Sequence, residues 1–188
     1  MPKQRITREM VVDAAFAITR QEGIAQVLVK RIADELGCSV QPIYSYCNSM
    51  EELRAAVAEK AAEHMQAFMA QHIDPADLFR STGYAYVHYA KTEPHLFQLF
   101  IQRKRPYMHT LDDLYGRDAD SRVPQGIARQ LNIPLERAKE LHLNMLVFTT
   151  GIGTMLATGA ADLPESELLA RLEHAYQAFL RLAQKEDV

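Results

Sequence analysis

Any catalysis in this chain would have to begin at its histidines, cysteines or paired acids, and their spacing suits none of the usual chemistries. The seven histidines (His64, His72, His88, His95, His109, His142, His174) make no HxxH or HxxxH pair, the helical spacings that aim two imidazoles at one zinc ion. Cys38 and Cys47 have no CxxC or CxxH partner and are too few for a disulfide framework, so they read as reduced, packed thiols. Asp112, Asp113, Asp118 and Asp120 fall in a polar stretch without a neighbouring nucleophile or base, which reads as solvated charge. An enzyme is therefore not expected, and neither a metal nor a cofactor is. A more suggestive group is Lys30 followed by Ser39, Val40, Gln41, Pro42, Tyr44, Ser45 and Tyr46, which brings a cation, an amide, hydroxyls and apolar surface into one short run. The amide of a residue such as Gln41 can bond two edge atoms of an adenine in a major groove.

Such a run can read bases only if a helix presents it. Thr7 can cap a first helix in which Val11, Ala14, Ala15 and Ile18 recur three and four apart, with Gly23 stopping it. A two-turn helix fits Val29 to Leu36, with Val29, Ile32, Ala33 and Leu36 on one face and Gly37 as its left-handed end. Ser39 then restarts the chain as an N-cap, Pro42 lies in the first turn, and Asn48 ends this third helix. Two short helices about a Gly37-Cys38-Ser39 turn make a helix-turn-helix. Ser49 and Glu52 form a capping box for a long fourth helix with Leu53, Val57, Ala61, Met65 and Phe68 inward.

Further helices are expected from Asp74-Pro75 to about Lys91, from Pro94 through Ile101, over Gln125 to Leu131, over Pro134 to Ala157, and over Glu165 to Gln184. The stretch from Arg103 to Pro124 loses its periodicity and reads as a mobile connection, with a short helix at Leu111 to Tyr115. No strand-like alternation appears, so the fold class is all-α.

The words from Val29 to Leu53, VKRIADELGCSVQPIYSYCNSMEEL, resemble the signature of the TetR family of transcriptional regulators. The likeness covers residues 7–60 and extends weakly into Glu93 to Phe100. It implies an N-terminal helix-turn-helix DNA-binding domain (1–50) followed by a helical ligand-binding and dimerisation domain (51–188). By position, the resemblance assigns Ile32, Ala33, Leu36, Ile43 and Leu53 to the core. It places Val40, Gln41, Pro42, Ser45 and Tyr46 on the exposed reading face, Tyr44 against a phosphate, and Lys30 on the backbone from the second helix. Val40 and Pro42 then offer contact to thymine methyls, and Ser45 is undiscriminating. Arg5 and Arg8 can reach the DNA from the N-terminal arm. Val40 and Met50 depart from the family, which often has Lys at both positions, so phosphate binding would lean on the dipole of the fourth helix.

Residues 64–109 are rich in aromatic and polar-tipped side chains. His64, Met65, Phe68, Tyr86, His88, Tyr89, Phe97 and Phe100, with Phe148 further on, are the expected lining of a site for a small, mainly apolar or aromatic effector. Tyr86 and Tyr89 stand out, because buried hydroxyls require partners that a cavity or its ligand can supply. Leu141, Met145, Phe148, Ile152, Met155 and Leu156, then Leu168, Leu172, Ala175, Phe179 and Leu182, suit two dimer helices, with Gly151 and Gly153 permitting close approach.

The formal net charge of -3 is unlike a nucleic-acid binder. Residues 1–50, however, hold six basic side chains against five acidic ones, and the acidic surplus lies in the rest. No leader-like start is seen, and the most apolar run, Leu141 to Leu156, is interrupted by His142, Asn144, Thr149, Thr150 and Gly151, so no membrane is expected and the reading is cytoplasmic. The expected function is a homodimeric repressor of palindromic operator DNA, released by its effector. The alternative left open by Val40 and Met50 is a helical protein-interaction module with a vestigial helix-turn-helix.

Overall fold

Local capping and apolar spacing account for most of the helix limits seen in the computed structural model, which describes residues 6–47, 49–116, 118–160 and 164–184. Arg5 and Asn48 lie outside the described residues. Nine α-helices occur among them: α1 (Arg8–Glu22), α2 (Val29–Glu35), α3 (Gln41–Tyr46), α4 (Met50–His72), α5 (Leu78–Thr92), α6 (Pro94–Gln102), α7 (Arg122–Leu131), α8 (Leu135–Thr158) and α9 (Glu165–Gln184). Short 3-10 turns span Ile24–Gln26 and Leu111–Gly116, and no strand is present among the described residues. The fold is all-α, as expected.

By compactness the chain forms two units, Met1–Ala67 with Glu93–Gln102, and Phe68–Thr92 with Arg103–Val188. This division differs from the boundary expected at residue 50. The first part of α4 packs with the helix-turn-helix through Leu53 and Val57, exposed 1% and 0%, and α6 joins the same unit through Leu99, which packs on that core.

In the first unit, the Thr7 hydroxyl accepts from the Met10 amide at 3.2 Å and caps α1. Val11, Ala15, Ile18, Val27, Ile32, Ile43, Leu53 and Val57 form one buried cluster. Each large apolar side chain buried in this way is worth about 1.5–3 kcal/mol relative to exposure. Glu93, just ahead of α6, is buried yet charged, and its carboxylate takes a two-pronged bond from the Arg20 guanidinium of α1. Such a fork offsets much of the cost of desolvating the acid.

In the second unit, Phe79, Ile127, Leu141, Met145, Ile152 and Leu172 lie in a second buried cluster. Gly83 allows α5 to approach α8, since a Cβ there would sit 3.1 Å from the Met145 methyl. The stretch read as a mobile connection is organised instead. The Asp118 side chain, 3% exposed, pairs with Arg103 and accepts from Arg105 Nε at 2.6 Å and from the Tyr107 hydroxyl at 2.5 Å. It is thus a buried, partnered acid rather than solvated charge, a role that two guanidiniums make tolerable. Asp120 pairs with Arg122 at the start of α7, which begins three residues ahead of the expected Gln125.

By length and composition α8 could cross a membrane, with a mean hydropathy of 1.2 over its most apolar stretch, 44% of which is buried inside the chain. Its buried positions Leu141, Met145 and Ile152 belong to the second core, the usual use of such a helix in a packed domain.

Candidate functional site

The turn between α2 and α3 is set by Gly37. At φ 61° it adopts the left-handed conformation that glycine enters without cost. The Cys38 amide then donates to the Ala33 carbonyl at 2.9 Å and the Gly37 amide to Asp34 at 3.2 Å, the paired bonds of a Schellman motif. Beyond it, α3 starts at Gln41 with Val40 before it and no side-chain cap, so Ser39 is an exposed turn residue rather than the expected N-cap.

Ile43 anchors α3 at 1% exposure. Its outer face presents Gln41, Ser45, Val40 at 41% and Tyr44 at 63% exposure. The Ser45 hydroxyl donates to the Gln41 carbonyl at 3.1 Å, which holds it along the helix. Pro42 is half-buried. Tyr46 departs from the expectation: three residues after Ile43 it shares the inward side and packs, half-buried, against the core. Lys30 is exposed on α2. Arg31 is tied to Glu22 and Gln26, and Arg8 lies 3.7 Å from Glu52, so two cations of this region already serve carboxylates. Ser49 caps α4 by accepting from the Glu52 amide at 3.1 Å. Glu51 and Glu52 in that first turn already complement the positive end of the helix.

The nine residues expected to line an effector site are divided between the units. In the first, Phe97 is fully buried and Met65 and Phe100 are half-buried. His64 lies there with its Nε2 3.8 Å from Glu93 and its ring against Phe16. In the second, Tyr89 is fully buried against Phe68, their ring centres 5.0 Å apart. The Tyr86 hydroxyl, read as requiring a ligand or cavity water, has a protein partner in Thr150 Oγ1 at 3.2 Å. Burial pushes the Tyr86 phenol above its ordinary pKa. Phe148 meets Phe179 edge to face.

The second unit also contains a half-open cleft of about 370 Å³, lined by His72, Tyr84, Ala85, Val87, His88, Lys91, Leu156, Leu168 and Leu169. Of the expected ligand residues it includes His88 alone. Tyr84, His88 and Lys91 follow one another at four and three residues along α5, a one-face spacing that was legible in the sequence. Their meeting with Leu156 and Leu168 was not.

No protein-family model matches the sequence, and no curated protein matches it. Solved structures do. A TetR-family protein from Vibrio parahaemolyticus superposes with a TM-score of 0.63 at 17% identity, over 91% of this chain and 97% of that one. A TetR-like transcriptional regulator from Rhodococcus matches with a TM-score of 0.56 at 16% identity, over 96% and 95%. A TetR from Streptomyces coelicolor gives 0.55 at 17%, over 95% and 94%.

The chain has the TetR fold.

Within this TetR fold the apolar residues of the last two helices divide into two sets. Leu141, Met145, Ile152, Leu168 and Leu172, read as dimer residues, are at most 5% exposed within one chain and belong to its own core. What faces outward is a stripe that keeps Met155 (38%) and Leu182 (61%) of the expected set, with Gly151, and adds Val147 (55%) on α8 and Ala178 on α9. Beyond its own stretch of helix, no atom of the chain lies within 4 Å of the position a Gly151 Cβ would take.

Proposed function

We propose that this TetR-fold chain is a transcriptional regulator, a repressor that binds palindromic operator DNA as a homodimer in the cytoplasm and lets go when a small effector binds its second unit. The observation that carries the reading is the outer face of α3, where Gln41, Ser45, Val40 and a 63%-exposed Tyr44 stand over a buried Ile43. A helix this short, with one buried anchor, suits insertion in a major groove better than a role in packing. Gln41 reads adenine, Val40 and Pro42 meet thymine methyls, and Tyr44 and Lys30 bond phosphates. Ser39, exposed before the helix, joins the backbone contacts.

Two copies are needed to read both halves of a palindrome. The outward stripe of Val147, Gly151 and Met155 with Ala178 and Leu182 supports pairing through α8 and α9 about a two-fold axis. An effector releases DNA only by binding one arrangement of the dimer better than the other. The test is selection of bound duplexes from a random pool. A recovered palindrome with two half-sites about one helical turn apart supports the reading, and recovery of no consensus overturns it.

A further inference from the structure

We infer that the duplex is A·T-rich where α3 enters it: adenine stands under Gln41, thymine methyls meet Val40 and Pro42, and no guanine is read in the major groove. The inference rests on the DNA-binding reading above and names the class of duplex that this face accepts.

The face is poor in hydrogen-bond donors. From Ser39 to Tyr46 the sequence has no Lys or Arg, the side chains that bond guanine, whose major-groove edge offers two acceptors and no donor. Gln41 and Ser45 each stand two residues from the buried Ile43, which puts both on the far side of the helix. The Ser45 hydroxyl gives its one proton to the Gln41 carbonyl at 3.1 Å. Toward DNA it can then only accept, from the amino group of adenine or cytosine. The exposed Gln41 amide has a donor and an acceptor side by side, which match N7 and N6 of adenine.

Neighbouring guanidiniums do not make good the lack. Arg31 donates to Glu22 at 2.9 Å and to Gln26 at 3.3 Å, and Arg8 lies 3.7 Å from Glu52. Lys30 and Arg54 are exposed but belong to α2 and α4, outside the reading helix, where cations serve the phosphates. The rest of the face is apolar, with Val40 at 41% exposure and Pro42 half-buried. The thymine C5 methyl is the one apolar group on a major-groove edge. A guanine under Gln41 sets carbonyl against acceptor, and under Val40 it leaves O6 and N7 stripped of water with no donor.

The probe is the duplex selected from the random pool, altered at one group in one half-site and titrated against the full chain by fluorescence anisotropy. Uracil for thymine, which removes only the methyl, should weaken binding about fourfold at the thymines that Val40 and Pro42 cover. At one adenine, 7-deazaadenine, which lacks N7, should weaken it about tenfold. Gln41→Ala should abolish the 7-deazaadenine effect and keep the uracil effect. Val40→Ser should abolish the uracil effect at one thymine and keep the 7-deazaadenine effect. Both side chains are exposed, so neither substitution reaches the core.

A palindrome with G·C pairs under α3, its binding weakened by 7-deazaguanine there, keeps the regulator and removes the A·T-rich reading. Indifference of every thymine to uracil also overturns it. A pool that yields no consensus overturns both.

Discussion

Gln41 and Tyr44 lie three residues apart on α3, both exposed, yet they should fail differently when changed. Gln41→Ala should cost about 1–3 kcal/mol on the preferred duplex and relax one base position, because its amide reads an edge. Tyr44→Phe should weaken binding to all duplexes alike, because a phosphate contact positions without discriminating. Repeating the duplex selection with each variant checks both, and an unrelaxed consensus for Gln41→Ala removes it from the reading face.

His142 offers a residue-scale prediction in the second unit. It shares a hydrogen bond of 2.9 Å with the Tyr115 hydroxyl, and burial pulls its pKa from the ordinary 6.5 down to about 4. The unfolded chain therefore binds the extra proton first. The stability due to neutral His142 is whole above pH 6.5 and is lost as pH falls from 6.5 toward 4, by up to about 3 kcal/mol. Urea unfolding across that window should show a shallower pH slope for His142→Gln than for the parent chain, and parallel slopes would sink the assignment.

Among the elements, α6 shows how one polar pair can hold a helix. Arg20 forks onto Glu93, whose side chain is 8% exposed. Arg20→Met keeps most of the stem's packing but takes the guanidinium from a buried carboxylate that has the His64 imidazole 3.8 Å away. A loss of about 2 kcal/mol is expected, below the cost of a wholly buried pair because Arg20 is half-exposed. Adding Glu93→Gln should recover part of it, and thermal unfolding of the two variants measures the coupling. The apolar spacing around Leu96 and Phe97 showed that α6 exists, but the partner of Glu93 lies 73 residues away in the chain and leaves no local periodic mark.

For the whole molecule, the outward faces of α8 and α9 decide the assembly experiment. Phe148 and Phe179 look from sequence like the natural positions to disrupt a dimer, but they contact each other within one chain, so a charge at either would damage the protomer's own fold. Val147 is 55% exposed and free of that ambiguity. Val147→Asp should leave the helical content and melting of the protomer intact while giving monomers in light scattering, with operator affinity falling as pairing is lost. A dimeric Val147→Asp would take α8 out of the interface.

The sequence by itself determined the all-α class, the helix-turn-helix and most helix limits, because those depend on local matters: Thr7 and Ser49 as caps, Gly37 at a left-handed turn, and apolar residues three and four apart. The spacing of Ile43 could also have placed Tyr46 on the inward side. Only the tertiary structure decided which apolar residues of α8 and α9 face inward, since both helices carry more apolar positions than one face needs and the choice is made by what packs opposite. It also decided that Asp118 is buried between Arg103 and Arg105, that Tyr86 bonds Thr150, and that His72, His88 and Lys91 share a cleft with Leu156 and Leu168. Those pairings join residues far apart in the chain, where neither spacing nor propensity carries information and the closing of the core alone fixes the neighbours.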